Sequence, residues 1–370
     1  MYELLQIYWW VIVSLLGGIL VFMMFVQGGQ TLIKCVAQTE LDKDMIINSI
    51  GKKWELTFTT LVMFGGACFA AFPLFYATSF GGAYWVWLAI LFCFIIQAVS
   101  FEYRKKPNNF LGQKTYENFL FINGSLGVIL IGIAVSTFFS GSDFALNSSR
   151  FVEWNSPLRG LEALKNPFNY ILGLALFFQA RVGANLYLIN NIDDDRLRAK
   201  FRRSLKINAL IFVPLLVLFL VAVVLADGYH ISENGTIVMK EYKYLMNLIE
   251  MPIVLGLLLV GILLALFGIY KGVFTLSIKG IWPYGLGVIL AVMSVFLITG
   301  LNNTAFYPSY HDLQSSLTIY NASSSLYTLK TMAYVSIGIP FVLAYIIYVW
   351  KAMDTRKLTT EEIENDDHIY

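Results

Sequence analysis

Charged residues are few in this sequence: they make up 14% of its 370 residues, against 58% hydrophobic residues, and the mean hydropathy is +0.67. A chain this apolar is not a soluble protein. Apolar runs of roughly 20 residues, the length that crosses a bilayer as a helix, recur along almost the whole chain. Because the runs are continuous and do not alternate, they exclude a transmembrane β-barrel. The sequence therefore predicts an all-α integral membrane protein.

Histidine is scarce as well, and no histidine lies in an apolar run. His230 and His311 fall in loops, and His368 is close to the C-terminus. A haem or metal inside the membrane would therefore find no histidine ligand in this chain. Methionine ligation is chemically open, but a lone methionine in an apolar run is far more often a packing residue. We expect this chain to carry no metal and no redox centre of its own.

Cysteine is limited to Cys35, Cys68 and Cys93, an odd number that lies in or beside apolar segments. Such a set implies no disulfide framework, and we expect all three to be small buried side chains.

The net charge is only +2, and the basic residues are scattered among loops and not gathered in one patch. We therefore expect no nucleic-acid partner.

Nine apolar runs predict nine transmembrane helices. They cover residues 7–32, 54–76, 84–101, 118–139, 168–190, 207–226, 251–270, 283–299 and 332–350. The first run follows no basic segment and precedes no small-residue cleavage site, so we interpret it as a retained span. With the N-terminus outside, nineteen Lys and Arg residues fall on the cytoplasmic side, six fall outside, and Arg181 lies within a span. The positive-inside rule therefore predicts an outer N-terminus and a cytoplasmic C-terminus.

Three loops on the predicted outer side are long, at about 140–167, 228–247 and 300–328. They are rich in Ser, Asn, Gly and Tyr, and none is large enough to be a domain. We expect each to form a short cap over the helices.

Charged side chains inside spans are costly and indicate function by default, and only Glu55 and Arg181 clearly qualify. Glu55 follows Trp54 at the cytoplasmic start of the second span. An acid in the first helical turn is also favoured by the helix dipole, and the pattern alone favours that interpretation. Arg181 lies ~15 Å from the cytoplasmic end of its span at ~1.5 Å per residue, too deep to reach the interface easily. It needs a partner, and no other span offers a carboxylate at that depth.

Several stretches resemble subunit II of the bacterial cytochrome bd-type quinol oxidases. The most specific lie between residues 45 and 106, and the match is colinear over essentially the whole chain. The stretches are Tyr8-Trp9-Trp10, Met45-Ile46-Ile47-Asn48-Ser49-Ile50, Trp54-Glu55, Gly65-Gly66-Ala67, residues 69–77, Phe101-Glu102-Tyr103-Arg104-Lys105-Lys106, residues 166–168, 183–188 and 316–329, and the tail from Lys357 to Tyr370.

The resemblance implies two four-helix bundles plus a peripheral last helix. Residues 1–139 would form the first bundle, 140–167 an outer loop, 168–299 the second bundle, 300–330 another outer loop, and 331–370 the last helix and a cytoplasmic tail. It implies a haem-free subunit in the bacterial cytoplasmic (inner) membrane, which stabilises a partner, subunit I. That partner would carry two b-type haems and one d-type haem, oxidise quinol and reduce oxygen to water. The resemblance also allows a structural quinone and a small accessory subunit.

The resemblance assigns roles to particular residues. Trp54-Glu55 matches the family's Trp-Asp pair, whose acid lines a proposed proton path, so we expect Glu55 in a half-buried site on the cytoplasmic proton route, with Glu102 and Lys106 at its mouth. The resemblance also allows a role for this chain in the route by which oxygen enters the complex. We expect Trp54 and Arg181 to contact the partner or a cofactor, and no residue of this chain to be catalytic.

One departure from the family bears on that route. Gln27 stands where the family often has the first acid of an Asp-Gly-Phe-Asp segment. An amide cannot be protonated reversibly, so a proton role at this position is lost.

A second hypothesis, from another class, is a secondary transporter, since about nine spans with scattered glycines can build a midplane site. Transporter spans are usually broken at corresponding positions of two halves, and here the runs are clean.

Overall fold

The computed structural model describes residues 1–354 and 357–365, so Arg356, His368 and Tyr370 lie outside the described residues. Its helices are α1 (Tyr2–Met23), α2 (Phe25–Val36), α3 (Glu40–Gly51), α4 (Trp54–Ala71), α5 (Pro73–Tyr76), α6 (Tyr84–Tyr103), α7 (Gln113–Ile122), α8 (Val128–Ser140), α9 (Pro167–Asn191), α10 (Asp195–Leu225), α11 (Lys243–Glu250), α12 (Pro252–Phe274), α13 (Ile281–Gly300), α14 (Leu326–Ser336), α15 (Ile339–Met353) and α16 (Thr360–Asn365). Two π-helical turns, Ala77–Gly82 and Asn123–Gly127, and two 3₁₀ turns, Leu161–Lys165 and Leu313–Ser315, complete the helical part.

Within the described residues, eight helical segments are long and apolar enough to cross a membrane, and each overlaps one predicted span. The ninth predicted span is not one straight helix. It consists of α14 and α15, which meet at 42°. Pro340, in the first turn of α15, has no N–H to continue the hydrogen bonds of α14, and this explains the break. The predicted mainly helical membrane protein is confirmed, and the ninth predicted span, near 332–350, is a bent pair of helices.

The helices pack closely at glycines. A side chain at Gly28 on α2 would collide with the carbonyl oxygen of Ala180 on α9, and a Cβ at Gly18 on α1 would lie 2.6 Å from the carbonyl oxygen of Ile289 on α13. Small residues of this kind let membrane helices approach backbone to backbone. Both contacts join a helix of residues 1–139 to a helix of 168–299, and the division into two bundles stays a prediction. The terms outer and cytoplasmic below keep the predicted orientation.

The outer loops carry two short antiparallel hairpins, so the chain is not purely helical. Strand β1 (Phe144–Leu146) pairs with β2 (Val152–Trp154), and β3 (Gly228–Ile231) pairs with β4 (Ile237–Lys240). The third loop ties them together, because Ser142 N–H donates to the carbonyl of Pro308 and Ala305 N–H donates to that of Tyr229, each at 2.9 Å. The three loops thus form one connected cap.

The cysteines do not all behave as expected. Cys68 and Cys93 are free and buried, as predicted, and burial is consistent with packing roles. Cys35 is also free but exposed, so the expectation of burial is wrong there. It follows Lys34 near the end of α2, and both residues are exposed there.

Candidate functional site

Trp54 and Glu55 open α4 at the cytoplasmic end, as predicted. Trp54 is half-buried and stacks on Phe101 of α6, with ring centroids 5.9 Å apart and planes inclined by 13°. Glu55 lies in the first turn of α4, where a carboxylate is favoured by the helix dipole. Its side chain is exposed, so the expectation of a half-buried site is wrong for this chain by itself. No residue in the described part of the chain gives Glu55 a hydrogen bond or ion pair.

Glu102 lies in the last turn of α6, directly after Phe101 on which Trp54 stacks, and Lys106 lies just beyond the end of that helix. Their side chains, four residues apart in sequence, form an ion pair with an N–O distance of 3.4 Å. Both side chains are more than half exposed. The Trp54–Phe101 stack thus brings all four predicted residues to the same end of neighbouring helices.

Arg181 lies apart from these residues, on α9. It shares a stripe of that helix with Tyr170, Leu174 and Phe177, all of which are exposed or half-buried, and Arg181 is itself half-buried. Its guanidinium lies over the Phe177 ring at 5.5 Å from the centroid, and its Nε is buried without a hydrogen-bond partner. No carboxylate of the described residues pairs with it. The stripe therefore directs Arg181 to the outside of the helix packing.

Sequence reasoning missed a buried charge cluster at the cytoplasmic end. Arg104 is fully buried and donates to Asp44 at 2.7 Å and to Glu117 at 2.9 Å. Lys105 pairs with Asp44 at 2.7 Å, and Lys43 pairs with Glu117 at 3.1 Å. From the sequence, these basic residues serve only as signals of orientation. Their second role depends on α3, α6 and α7 meeting, which no local pattern reveals.

It also missed a neutral cluster deeper in the same helices. Gln27 and Gln30 of α2 both donate to the side-chain oxygen of Gln97 on α6, at 2.9 and 2.6 Å. Gln97 precedes Arg104 by seven residues, so the two clusters lie ~10 Å apart along α6 at ~1.5 Å per residue. A signal existed, since Gln97 interrupts the apolar run Phe92-Cys93-Phe94-Ile95-Ile96.

A cavity of about 390 Å³ lies beneath the outer cap. Ser79, Thr137, Asn169 and Tyr307 supply polar groups to its wall, and Trp87 also lines it. Trp87 also lines a second cavity, of about 110 Å³, whose other walls are almost entirely apolar. Polar and apolar spaces therefore meet at Trp87.

A buried lysine fastens the cap to the helices. Lys243, at the start of α11, donates to the side chain of Asn247 and to the backbone carbonyl of Asn302, both at 2.7 Å. The pKa of Lys243 is lowered to about 8, mainly by burial and also by the nearby charge of Lys240, while Glu250 opposes the shift. The site is structural, because its partners are the loop residues that it holds.

Comparison with known proteins gives a consistent family. A family model described as cytochrome bd terminal oxidase subunit II matches residues 5–353. Cytochrome bd-I ubiquinol oxidase subunit 2 of Escherichia coli (strain K12) is 26% identical over 383 residues, covering 99% of this chain and 98% of that protein. Cytochrome bd ubiquinol oxidase subunit 2 of Bacillus subtilis (strain 168) is 25% identical, covering 83% of each chain.

A solved structure has a similar fold. One chain of the bd oxidase from Geobacillus thermodenitrificans matches with a TM-score of 0.60, covering 95% of this chain and 99% of that one. The sequence identity is 13%, so this match supports the fold alone.

Proposed function

The chain belongs to the family of subunit II of cytochrome bd terminal oxidases, and we propose that it is the haem-free subunit, which stabilises a haem-bearing subunit I and contributes to the cytoplasmic proton path. It is a subunit of an oxidoreductase complex and a multi-pass protein of the bacterial cytoplasmic membrane. This family membership favours the oxidase subunit and argues against the secondary transporter.

The placement of the histidines supports a haem-free role. His230 lies in β3, where its Nδ1 is 3.2 Å from the carbonyl oxygen of Asn303, and His311 lies in the third outer loop, 3.6 Å from Asp143. Both belong to the cap and not to a span. The two b-type haems and the d-type haem of the complex therefore belong to subunit I in this proposal.

The observation that carries the proton proposal is the exposed Glu55 next to the Trp54–Phe101 stack. Protons for water formation come from the cytoplasm, and Glu55 lies at that end of α4 in the predicted orientation. An acid that is exposed in the separate chain is free to face subunit I once the two pack together. Glu102 and Lys106, at the neighbouring end of α6, supply exchangeable groups at the water side of the same route.

Arg181 supports the contact with subunit I. An unpaired guanidinium within a bilayer costs at least ~2.5 kcal/mol even on the lenient insertion scale. Since Arg181 faces outward and has no carboxylate partner in the described chain, we propose that an oxygen pair of subunit I or of a cofactor faces it. Arg matches planar oxygen pairs in a bidentate way.

The two cavities that meet at Trp87 support a structural quinone. A quinone has a polar head and an apolar isoprenoid tail. The cavity under the cap offers Ser79, Thr137, Asn169 and Tyr307 to the head, and the apolar cavity beyond Trp87 suits the start of the tail. Thr137 already donates its hydroxyl hydrogen to the carbonyl of Ala134, so the quinone head would accept hydrogen bonds from Ser79, Asn169 or Tyr307.

Replacing Glu55 by glutamine in the intact oxidase tests the proton proposal. We expect Glu55→Gln to assemble with a normal haem content but to consume oxygen several-fold more slowly, and Glu55→Asp to be much milder, because only the amide cannot carry a proton. Glu153→Gln, an exposed acid of the outer hairpin, is the matched control and should leave turnover unchanged. Wild-type turnover per haem in Glu55→Gln would remove this residue from the path.

A further inference from the structure

We propose that Gln27, Gln30, Gln97 and Asn123 form a binding site for ordered water inside the membrane domain. All four side chains are completely buried in the chain by itself. Three of them come from α2 and α6, and Asn123 begins the second π-helical turn. No part of this site reaches the surface, so neither lipid nor a partner subunit can satisfy its polar atoms.

The hydrogen bonds within the cluster use three of its eight side-chain polar atoms and leave five unpaired. The two donors from Gln27 and Gln30 converge on one oxygen of Gln97. The side-chain oxygens of Gln27 and Gln30, the amide nitrogen of Gln97, and both polar atoms of Asn123 are buried without a partner in the described chain. Each such group costs about 1–3 kcal/mol if it stays unpaired.

No reorientation of the glutamine amides removes this deficit. Turning all three by 180° makes Gln97 donate to the oxygens of Gln27 and Gln30. The nitrogens of those two residues and the oxygen of Gln97 then lose their partners instead. Three amides that meet at one atom always leave one end of each unpaired. The deficit is therefore a property of the arrangement and does not depend on how the amides are assigned.

The backbone packing brings Asn123 to the same place. A Cβ at Gly124 would collide with the carbonyl of Gln27 and would lie 3.2 Å from Cβ of Gln30. A Cβ at Gly127 would lie 3.2 Å from Cβ of Cys93, one turn before Gln97, and 3.4 Å from the amide nitrogen of Asn123. Asn123 thus lies between α2 and α6. A π-helical turn adds a residue to the helix, a feature that is frequent at functional sites.

The chemistry of the unpaired groups selects water over an ion. The unpaired atoms are amide oxygens, which need a donor, and amide nitrogens, which need an acceptor. A cation would satisfy only the oxygens, and an anion only the nitrogens. A water molecule does both, and buried waters typically make about three hydrogen bonds to otherwise unsatisfied groups. The neutral amides also hold it without titrating, so occupancy should not depend on pH.

A map of the complete oxidase complex, at a resolution that resolves ordered water, tests the proposal directly. We expect a peak ~2.7–3.2 Å from at least two of the unpaired atoms, the range of hydrogen-bond distances. Absence of any peak, or amides that have rearranged to pair with one another, would overturn the proposal. So would a peak contacted by oxygens alone, because that pattern indicates a cation.

A variant pair adds a second measurement on the same complex. Gln97→Met keeps a straight chain of similar length but removes the amide, and the peak should disappear. Gln6→Met is the control, because Gln6 is equally buried but is already paired with Tyr320 and Ser323 at the outer end, so the peak should remain. A peak that survives Gln97→Met argues against this site. If Gln97→Met fails to assemble, the map of the unmodified complex decides alone.

Discussion

Two polar clusters lie about two turns of α6 apart, and they are built in opposite ways. The cytoplasmic one consists of charges, and Arg104, Asp44 and Glu117 all pair with one another or with lysines at its edge. The deeper one consists of neutral amides, and five of its eight side-chain polar atoms have no protein partner in the described chain. Both are completely or almost completely buried.

The difference follows from what each depth allows. Near the interface, ions can be buried where several partners share the cost of desolvation, and the exposed edge of the cluster keeps contact with water. Deeper in the membrane an unpaired charge is far more costly, whereas a neutral amide can be satisfied by a small molecule that both donates and accepts. Polarity is therefore kept along α6, while charge is confined to its end.

The largest effect is expected from breaking the charged cluster with Arg104→Met. The change removes the cation shared by Asp44 and Glu117 and leaves both carboxylates buried. Removing one partner of a buried ion pair costs about 3–5 kcal/mol. We expect little assembled oxidase and a clearly lowered midpoint of thermal unfolding for what is recovered.

Lys105→Met is the matched control for that experiment. Lys105 is one-third exposed and pairs with Asp44, which keeps its ion pair with Arg104 when Lys105 is replaced. Lys105→Met should therefore lower the stability of the complex much less than Arg104→Met does. Equal thermal stability of the two variants would mean that the cluster does not depend on its buried member.

The sequence predicted the membrane-spanning elements well, because hydropathy acts locally. Each span needs only about 20 apolar neighbours, and all eight continuous spans and the broken ninth fall where apolar runs occur. The break before α15 had a local signal in Pro340, but a proline in an apolar run can also be tolerated within a continuous helix.

The polar clusters were not predicted, for two different reasons. Asp44, Arg104 and Glu117 come from three elements, and only tertiary packing brings them together. Gln97 and its partners lie inside apolar runs, but a search for charges in spans passes over neutral amides. Glu55 and Arg181 were found because they are charged.

Arg181 combines features of the two clusters: it is charged, like the cytoplasmic cluster, but has no hydrogen-bonding or ionic partner in the described chain, like the unpaired amides. The variant Arg181→Met tests whether a partner subunit pairs with this charge. If subunit I or a cofactor supplies oxygens to it, losing a charge-assisted hydrogen bond costs about 1.5–3 kcal/mol, roughly a tenfold or larger loss in assembly or haem retention. The haem content per purified subunit measures this loss. Arg159→Met, which removes an outer-loop arginine that lies over Tyr84, is the control and should leave haem content unchanged.

A different result would change the interpretation of Arg181. If Arg181→Met raised the stability of the complex without loss of haem, the guanidinium would be an unpaired liability in the native complex. The contact with subunit I would then have to be sought elsewhere on the chain.

The smallest effect on stability is expected at the exposed end of α6, where Lys106→Gln removes the ion pair with Glu102. Both partners are more than half exposed. An exposed pair of this kind contributes only about 0.2–1 kcal/mol because water and salt screen it. The midpoint of thermal unfolding should therefore hardly move.

Lys106→Gln nevertheless distinguishes two interpretations of Glu102 and Lys106, the mouth of a proton route or a solvated helix end. If Glu102 and Lys106 form the mouth of a proton route, oxygen consumption should fall at unchanged haem content, and the fall should grow as pH rises and protons become scarcer. If they are only a solvated helix end, turnover should match that of Lys114→Gln. That control removes one exposed cytoplasmic lysine without touching Glu102. Identical pH profiles for the two variants would exclude Lys106 from the route and leave Glu55 to take protons directly from water.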